Sequence, residues 1–372
     1  MELFITQCTS ITSSLTPPEI VLGRPQPLMA NANKSFDGTK VYGSGFVLET
    51  EEAKTLLAKN SINQDVLFPY LNGEDLNTRP DQSSSRWVIN FQDWTLEQSE
   101  TYPDCIKIVR EKVKPERDLN NRKVRRERWW QFAERAAGLY SSIKDLDRAL
   151  AIPIVTKYVT CTWVDTNIVY SHALVVVASE SDADYALLQC TFHDNWARLC
   201  SSSLGGTLRY TPTDSFETFP FPSIMQTLSN IGERYYQHRQ SIMLSRQEGL
   251  TKTYNRFHDI QETAEDIVRL RALHKEMDEA VAKAYGWDDL ELGHGFHETK
   301  QGLRYTISEE ARREVLGRLL RLNHERYAEE VEMGLHEKGV KKGNGKKSGG
   351  KKNGDGGNSN RVSGEQGELV FG

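Results

Sequence analysis

Eight cationic side chains crowd the stretch from 112 to 128: Lys112, Lys114, Arg117, Arg122, Lys123, Arg125, Arg126 and Arg128. Trp129, Trp130 and Phe132 follow directly. Basic residues interleaved with aromatics suit a nucleic-acid surface, with guanidinium groups on phosphates and indole rings packed beneath. The plainer reading is a solvated helix face whose charges are matched by acids four residues away. The chain as a whole carries a net charge of −5, so any attraction to a polyanion must come from such a local concentration.

Other reactive residue types are arranged less persuasively. Asp104 and Glu111-Lys112 suggest a metal-dependent nuclease cluster, but no lysine stands two positions after the acid and the segment reads as helix. His294 and His297 are three apart in a glycine-flanked loop that offers no evident third ligand. Ser171-His172 lies in a strand with no acid to pair with. Tyr254, Asn255 and His258 read as structural. The five cysteines, Cys8, Cys105, Cys161, Cys190 and Cys200, have no metal-like spacing and read as reduced thilos of a cytoplasmic protein.

The elements that would position these groups read as an α+β chain. Val66–Tyr70 and Trp87–Phe91 have strand composition and flank a polar loop containing Asn72-Gly73-Glu74-Asp75. A strand broken by Gly43 and Gly45 is expected from Lys40 to Leu48, then a helix over Glu49–Lys59. A basic helix should run from Cys105 and stop before Pro115. Leu150–Val164 and Ile168–Ala178 are the strongest strand signals, with Asp165-Thr166-Asn167 as a hairpin turn between them. Asp182–Ser202 is patterned as one amphipathic helix. From Ser223 the spacing turns helical: Ile224, Leu228, Ile231, Tyr235 and Ile242 form a seam, Asp266–Tyr285 a second helix, and Thr306 with Glu309 caps a third.

These signals predict an extended lead-in over 1–30, a mixed-sheet domain over 31–222, a helical domain over 223–336 and a disordered Lys/Gly/Asn-rich tail over 337–372. No run reaches the ~18 apolar residues of a membrane span, and the N-terminus lacks the pattern of a signal peptide.

Longer strings carry a resemblance. Asn31-Ala32-Asn33-Lys34-Ser35-Phe36-Asp37-Gly38, the Val66–Trp94 stretch, Arg125-Arg126-Glu127-Arg128-Trp129-Trp130, Leu208-Arg209-Tyr210-Thr211-Pro212 and Phe219-Pro220-Phe221-Pro222 resemble the target-recognition domain of MmeI-like (type IIL) restriction–modification proteins. Gly249–His258 and Tyr285-Gly286-Trp287 are similar to that family's C-terminal region. These are adenine-specific DNA methyltransferases that carry their own nuclease. The resemblance implies double-stranded DNA as partner, with the eight cations from Lys112 to Arg128 on phosphates. It also places base-reading positions at Gly205 and Thr207, just before Arg209 and Tyr210. Glu with Arg, or Lys with Asp, often stands at the first two positions in the family. Gly205 and Thr207 cannot make that charged contact, which implies relaxed reading there, or reading through backbone and water. Arg209 and Tyr210 would serve phosphate positioning or core packing.

The family's catalytic motifs do not follow. Thr16-Pro17-Pro18-Glu19 lacks the acidic or amide first residue and aromatic last residue of the adenine loop, and Gly43-Ser44-Gly45 lacks the third glycine of a cofactor turn. The family's catalytic domain precedes its recognition domain, and this chain starts too near the latter to be expected to contain it. S-adenosylmethionine is therefore expected in a partner methyltransferase domain or chain, with a nuclease domain as a further partner. Whether the chain is itself an enzyme stays open. The rivals are a chain that methylates adenine unaided and an inactive remnant of a split gene.

Overall fold

β1 (Ser35–Asp37) and β2 (Val47–Glu49) come first in a computed structural model that describes residues 23–336 apart from 202, 205 and 206. β2 runs straight into α1 (Thr50–Lys59), where Glu52 accepts the Glu49 N–H at 3.1 Å as the first half of a capping box. β3 (Leu67–Leu71) and β4 (Arg86–Ile89) are the two expected strands, paired antiparallel with Phe68 opposite Val88. The polar loop between them holds a short helix, α2 (Gly73–Thr78). Asn72 caps it by accepting the N–H groups of Glu74 and Asp75.

Four short helices follow: α3 (Leu96–Glu100), α4 (Pro103–Lys112), α5 (Lys114–Asp118) and α6 (Lys123–Glu127). Pro115 sits in the first turn of α5, where a missing N–H has no partner to lose, so it marks a joint between helices rather than a stop. α7 (Ala137–Ile143) leads into the central strands.

The two long apolar runs do not form two paired strands. The first divides into β5 (Arg148–Pro153), β6 (Val155–Thr156) and β7 (Thr162–Asp165); the second into β8 (Val169–Tyr170) and β9 (Leu174–Val177). β5 lies between β9 and β7 in an antiparallel sheet of order β1-β9-β5-β7. β8 leaves that sheet to pair parallel with β3, giving the order β2-β4-β3-β8. The Asp165–Asn167 turn therefore joins two sheets and is no hairpin. A strand buried on both faces reads as a continuous apolar run, so its pattern does not say which neighbour it pairs with. β5 is such a strand: Ala149 to Ile152 are all buried.

The expected single helix after residue 182 is α8 (Asp182–Gln189) and α9 (Thr191–Cys200), separated by extended backbone at Cys190. β10 (Ser203–Leu204) and β11 (Thr207–Arg209) then form a third sheet with β6, in the order β10-β11-β6.

The C-terminal half is α10 (Ser229–Arg246), α11 (Leu250–Phe257), α12 (Glu265–Ala284), a hairpin of β12 (Gly295–Thr299) and β13 (Gly302–Thr306), and α13 (Glu309–Glu332). The hairpin was not expected. Thr306 belongs to it, and the cap of α13 is Ser308, whose Oγ accepts the Ala311 N–H.

Two apolar cores result. The smaller gathers Phe46, Leu48, Val66, Val88, Phe91, Val109 and Phe132 around β2, β3, β4 and α4. The larger joins the β5–β9 sheet to the helices without a break at residue 222: Phe219, Leu228, Tyr235 and Leu319 share one cluster with Leu150 and Val176. α10 lies so close to α8 that a Cβ on Gly232 would stand 2.0 Å from the Asp182 carbonyl oxygen. The fully buried Arg239 of α10 donates to Gln189 Oε1 and to the Cys161 carbonyl. The described part of the lead-in is fastened as well. Asn31 Nδ2 donates to the carbonyls of Glu217 and Phe219, and the Met29 and Ala30 N–H groups bond Glu330. No described helix is long and apolar enough to cross a membrane. Residues 1–22 and the tail over 337–372 lie outside the described residues.

Candidate nucleic-acid interface

The basic run from 112 to 128 is spread over the end of α4, all of α5, and α6 with its flanks. Its aromatic followers point inward: Trp129 is buried, Phe132 packs edge-on against Phe46, and Trp130 donates its indole N–H to the Trp94 carbonyl. The cations differ among themselves. Arg117 is 3% exposed, and its guanidinium donates to the carbonyls of Tyr42, Val41 and Gln131. Burial, then the neighbouring Arg125, lowers its pKa. Arg117 is thus no phosphate ligand but a pin between the β1–β2 connection and the aromatic segment, because an extended guanidinium is long enough to satisfy three carbonyls at once.

Arg125 lies over the Tyr42 ring at 4.5 Å and 3.9 Å from Glu134, with its side chain mostly covered. Lys114 pairs with Asp118 and Lys123 with Glu127, both one helical turn away, while Lys112 faces Glu52 at 3.9 Å. Arg126 donates to the Asn120 carbonyl but stays exposed. Arg122 and Arg128 are exposed, with no hydrogen bond or ion pair from their guanidinium groups among the described residues.

The strand before Tyr210 sorts its side chains by parity. Thr207 and Arg209 are exposed; Leu208 and Tyr210 are buried. Alternate residues of a strand face opposite sides, and the inward side is anchored. Leu208 is in the large core, and the Tyr210 hydroxyl lies 3.0 Å from His193 Nε2. Burial pushes the Tyr210 hydroxyl well above its ordinary pKa and holds the His193 imidazole down to about 3. Tyr210 is therefore a core residue, a correction to its place among base-reading candidates. Arg209 lies opposite Val155 of β6, which is 62% exposed, so an apolar and a cationic side chain sit side by side on the outer face. Val155 escaped the sequence reading because its run reads as buried strand throughout. Gly205 lies outside the described residues.

Gly43 and Gly45 make room for a helix. A Cβ on Gly45 would meet the Lys112 Cβ at 2.3 Å, and one on Gly43 would meet Val113 at 2.9 Å, so this turn is filled by α4. Thr16–Glu19 lies outside the described residues. Asp104 is paired with Lys59, and Glu111 lies 3.9 Å from Lys107. Ser171 is buried and accepts the Ala173 N–H. His294 does find a carboxylate, Asp278 at 2.8 Å, which also accepts the Thr191 N–H at the start of α9; His297 turns to the Gly293 carbonyl. Among the described residues no group of three potential ligands could hold a metal ion. Tyr254, Asn255 and His258 hold the two halves together: the Tyr254 ring packs on Tyr158 at 5.8 Å, Asn255 accepts from Lys157 and Tyr158, and His258 stacks on Tyr158. The described cysteines are free thiols.

The sequence profile of the MmeI target recognition domain matches residues 17–223, more than half the chain, and the chain belongs to that family. In overall fold it is similar to the type IIL restriction–modification enzyme MmeI solved in complex with DNA, with a TM-score of 0.60 at 16% identity. That likeness covers 88% of this chain, and hence extends into the C-terminal helices, but 40% of the other. No curated protein matches the chain.

Proposed function

We propose that the chain is the DNA-recognition module of a type IIL restriction–modification adenine methyltransferase, working beside a catalytic domain or chain that binds S-adenosylmethionine, flips the target adenine and methylates it. The observation that carries this reading is the outer face of β11. In a chain of the target-recognition family, Thr207 and Arg209 face outward from a strand whose other side is locked into the core. A rigid strand presenting a guanidinium is suited to base edges in a major groove, where a good bidentate pair discriminates by ~1–3 kcal/mol. Arg122, Arg126 and Arg128 supply phosphate contacts. Thr207 and the glycine at 205 leave one base pair without a charged reader. Such a module works in the cytoplasm, with DNA.

The test is selection from a pool of randomised duplexes by the full chain, repeated with Arg209→Ala. The unaltered chain should enrich a defined sequence, and the variant should lose preference at one base pair while keeping salt-sensitive affinity. Enrichment of no sequence by the unaltered chain would refute the proposal. Incubation with tritiated S-adenosylmethionine and duplex DNA should leave the DNA unlabelled unless a catalytic partner is added.

A further inference from the structure

We infer that Lys157, Arg198 and Arg304 form an anion seat, beside the recognition strand, that takes a backbone phosphate of duplex DNA. This rests on the DNA-recognition reading above and adds a site that lies outside the basic run.

The described residues include four buried arginines: Arg117, Arg239, Arg271 and Arg304. Three spend their N–H groups inside the protein. Arg117 and Arg239 bond carbonyl and amide oxygens, and Arg271 donates to the carbonyls of Phe257, Glu262, Arg256 and Asp259. Arg304 is different. It is 8% exposed, yet among the described residues no carboxylate or other acceptor bonds its guanidinium, and none of its nitrogens is sealed from solvent. Its contact is a face-on approach to Tyr158, 4.6 Å from the ring centroid. A guanidinium held in low-dielectric surroundings with open donors is arranged for an acceptor that comes from outside, and phosphate fits that fork.

A second cation approaches the same ring, and a third lies beside it. Lys157 Nζ lies 5.0 Å from the Tyr158 centroid and is steadied by Asn255 Oδ1 at 2.9 Å. Arg198 donates to the Lys157 carbonyl at 3.1 Å, while its Nε holds Asp194. Their joint field is visible at His258, stacked on Tyr158: after burial itself, Arg304, His274, Arg198 and Lys157 all push its imidazole well below the ordinary range. Against the three cations stands Asp194, already bound to Arg198. The seat also lies beside the strand proposed to read DNA. β6 pairs with β11, Val155 is opposite Arg209, and Lys157 directly follows β6.

The experiment is fluorescence anisotropy of the full chain with a mixed-sequence duplex over a salt series. Losing one phosphate contact should lower the slope of log affinity against log salt by about 0.9, and lower affinity roughly tenfold near 0.1 M salt. Arg304→Gln should show both, and Arg304→Lys should restore most of the slope. If Arg304→Gln does not fold, Lys157→Gln, at an exposed position, should show the same slope loss. An unchanged slope in a folded Arg304→Gln or Lys157→Gln would overturn the seat, while salt-sensitive binding by the unaltered chain would leave the recognition reading standing. No duplex binding by the unaltered chain would overturn both. Thermal protection by inorganic phosphate that Arg304→Gln abolishes, with no change in the DNA slope, would mean a free anion is the occupant and would overturn the assignment to DNA.

Discussion

The basic run at 112–128 and the cluster around Tyr158 use the same residue types under opposite circumstances. In the run, cations are neighbours in sequence, and helices bring acids to them: Asp118 to Lys114 and Glu127 to Lys123, each one turn away. One arginine is consumed by carbonyls and another is covered by Tyr42. Around Tyr158, Lys157, Arg198 and Arg304 come from three separate segments, with Asp194 as the acid beside them. Charge density along a chain therefore differs from charge available to a ligand, because a helix that gathers lysines also gathers their counter-ions.

The comparison can be broken most sharply at Arg117. Arg117→Met should leave the Tyr42 and Gln131 carbonyls unpaired and the Val41 carbonyl with only the Ala133 N–H, and destabilise the protein by about 3 kcal/mol, measured by urea unfolding. The salt slope of DNA binding by the folded variant should not move. A normal stability with a reduced slope would return Arg117 to the phosphate contacts.

Acid stability sharpens it next. Burial and the cations around it hold His258 neutral in the fold, and burial does the same for His193, down to about 3, and for His274. An unfolded chain then takes up more protons than the folded one as pH falls below about 6.5. The stability these groups contribute is present above that pH and is lost on acidification, by up to about 1.4 kcal/mol per pH unit for each proton. Arg304→Gln relieves His258 of a positive neighbour, so its acid loss should be shallower, whereas Arg122→Gln should leave the acid limb as it is. Urea midpoints across that pH range distinguish the two.

Smaller effects test the run itself. Replacing Arg122, Arg126 and Arg128 together by Gln should lower the salt slope by at most about 3 and leave thermal stability unchanged. The smallest change is expected from Lys123→Gln, whose charge already faces Glu127 at 3.4 Å. Its slope should fall by well under the ~0.9 of a full phosphate contact. A loss as large as that of Arg128→Gln would show that the helix pairs open for DNA.

Much of the fold was legible because it is local. The β3–β4 pair follows from strand composition, α1 from its acids and lysine, and the three long C-terminal helices from apolar spacing. The division of Leu150–Val164 into three strands was not legible, since every residue of a two-sided core strand looks alike. The break at Cys190 was hidden for a similar reason: both helices bury their inner faces on one core, so the apolar spacing runs across the joint. At the candidate site, strand parity separates Arg209 from Tyr210, but the direction each faces depends on the pairing of β11 with β6.

The sequence by itself determined the family, the helical and strand segments with strong periodicity, and the presence of an arginine just before Tyr210. These rest on residue order and on interactions within a few positions. Tertiary structure alone decided which cations stay free, that Arg117 and Tyr210 turn inward, and that Lys157, Arg198 and Arg304 gather near one tyrosine. Burial and partnership depend on segments up to about 150 residues apart (Lys157 in the sheet, Arg304 in the late hairpin), and no local pattern encodes that distance.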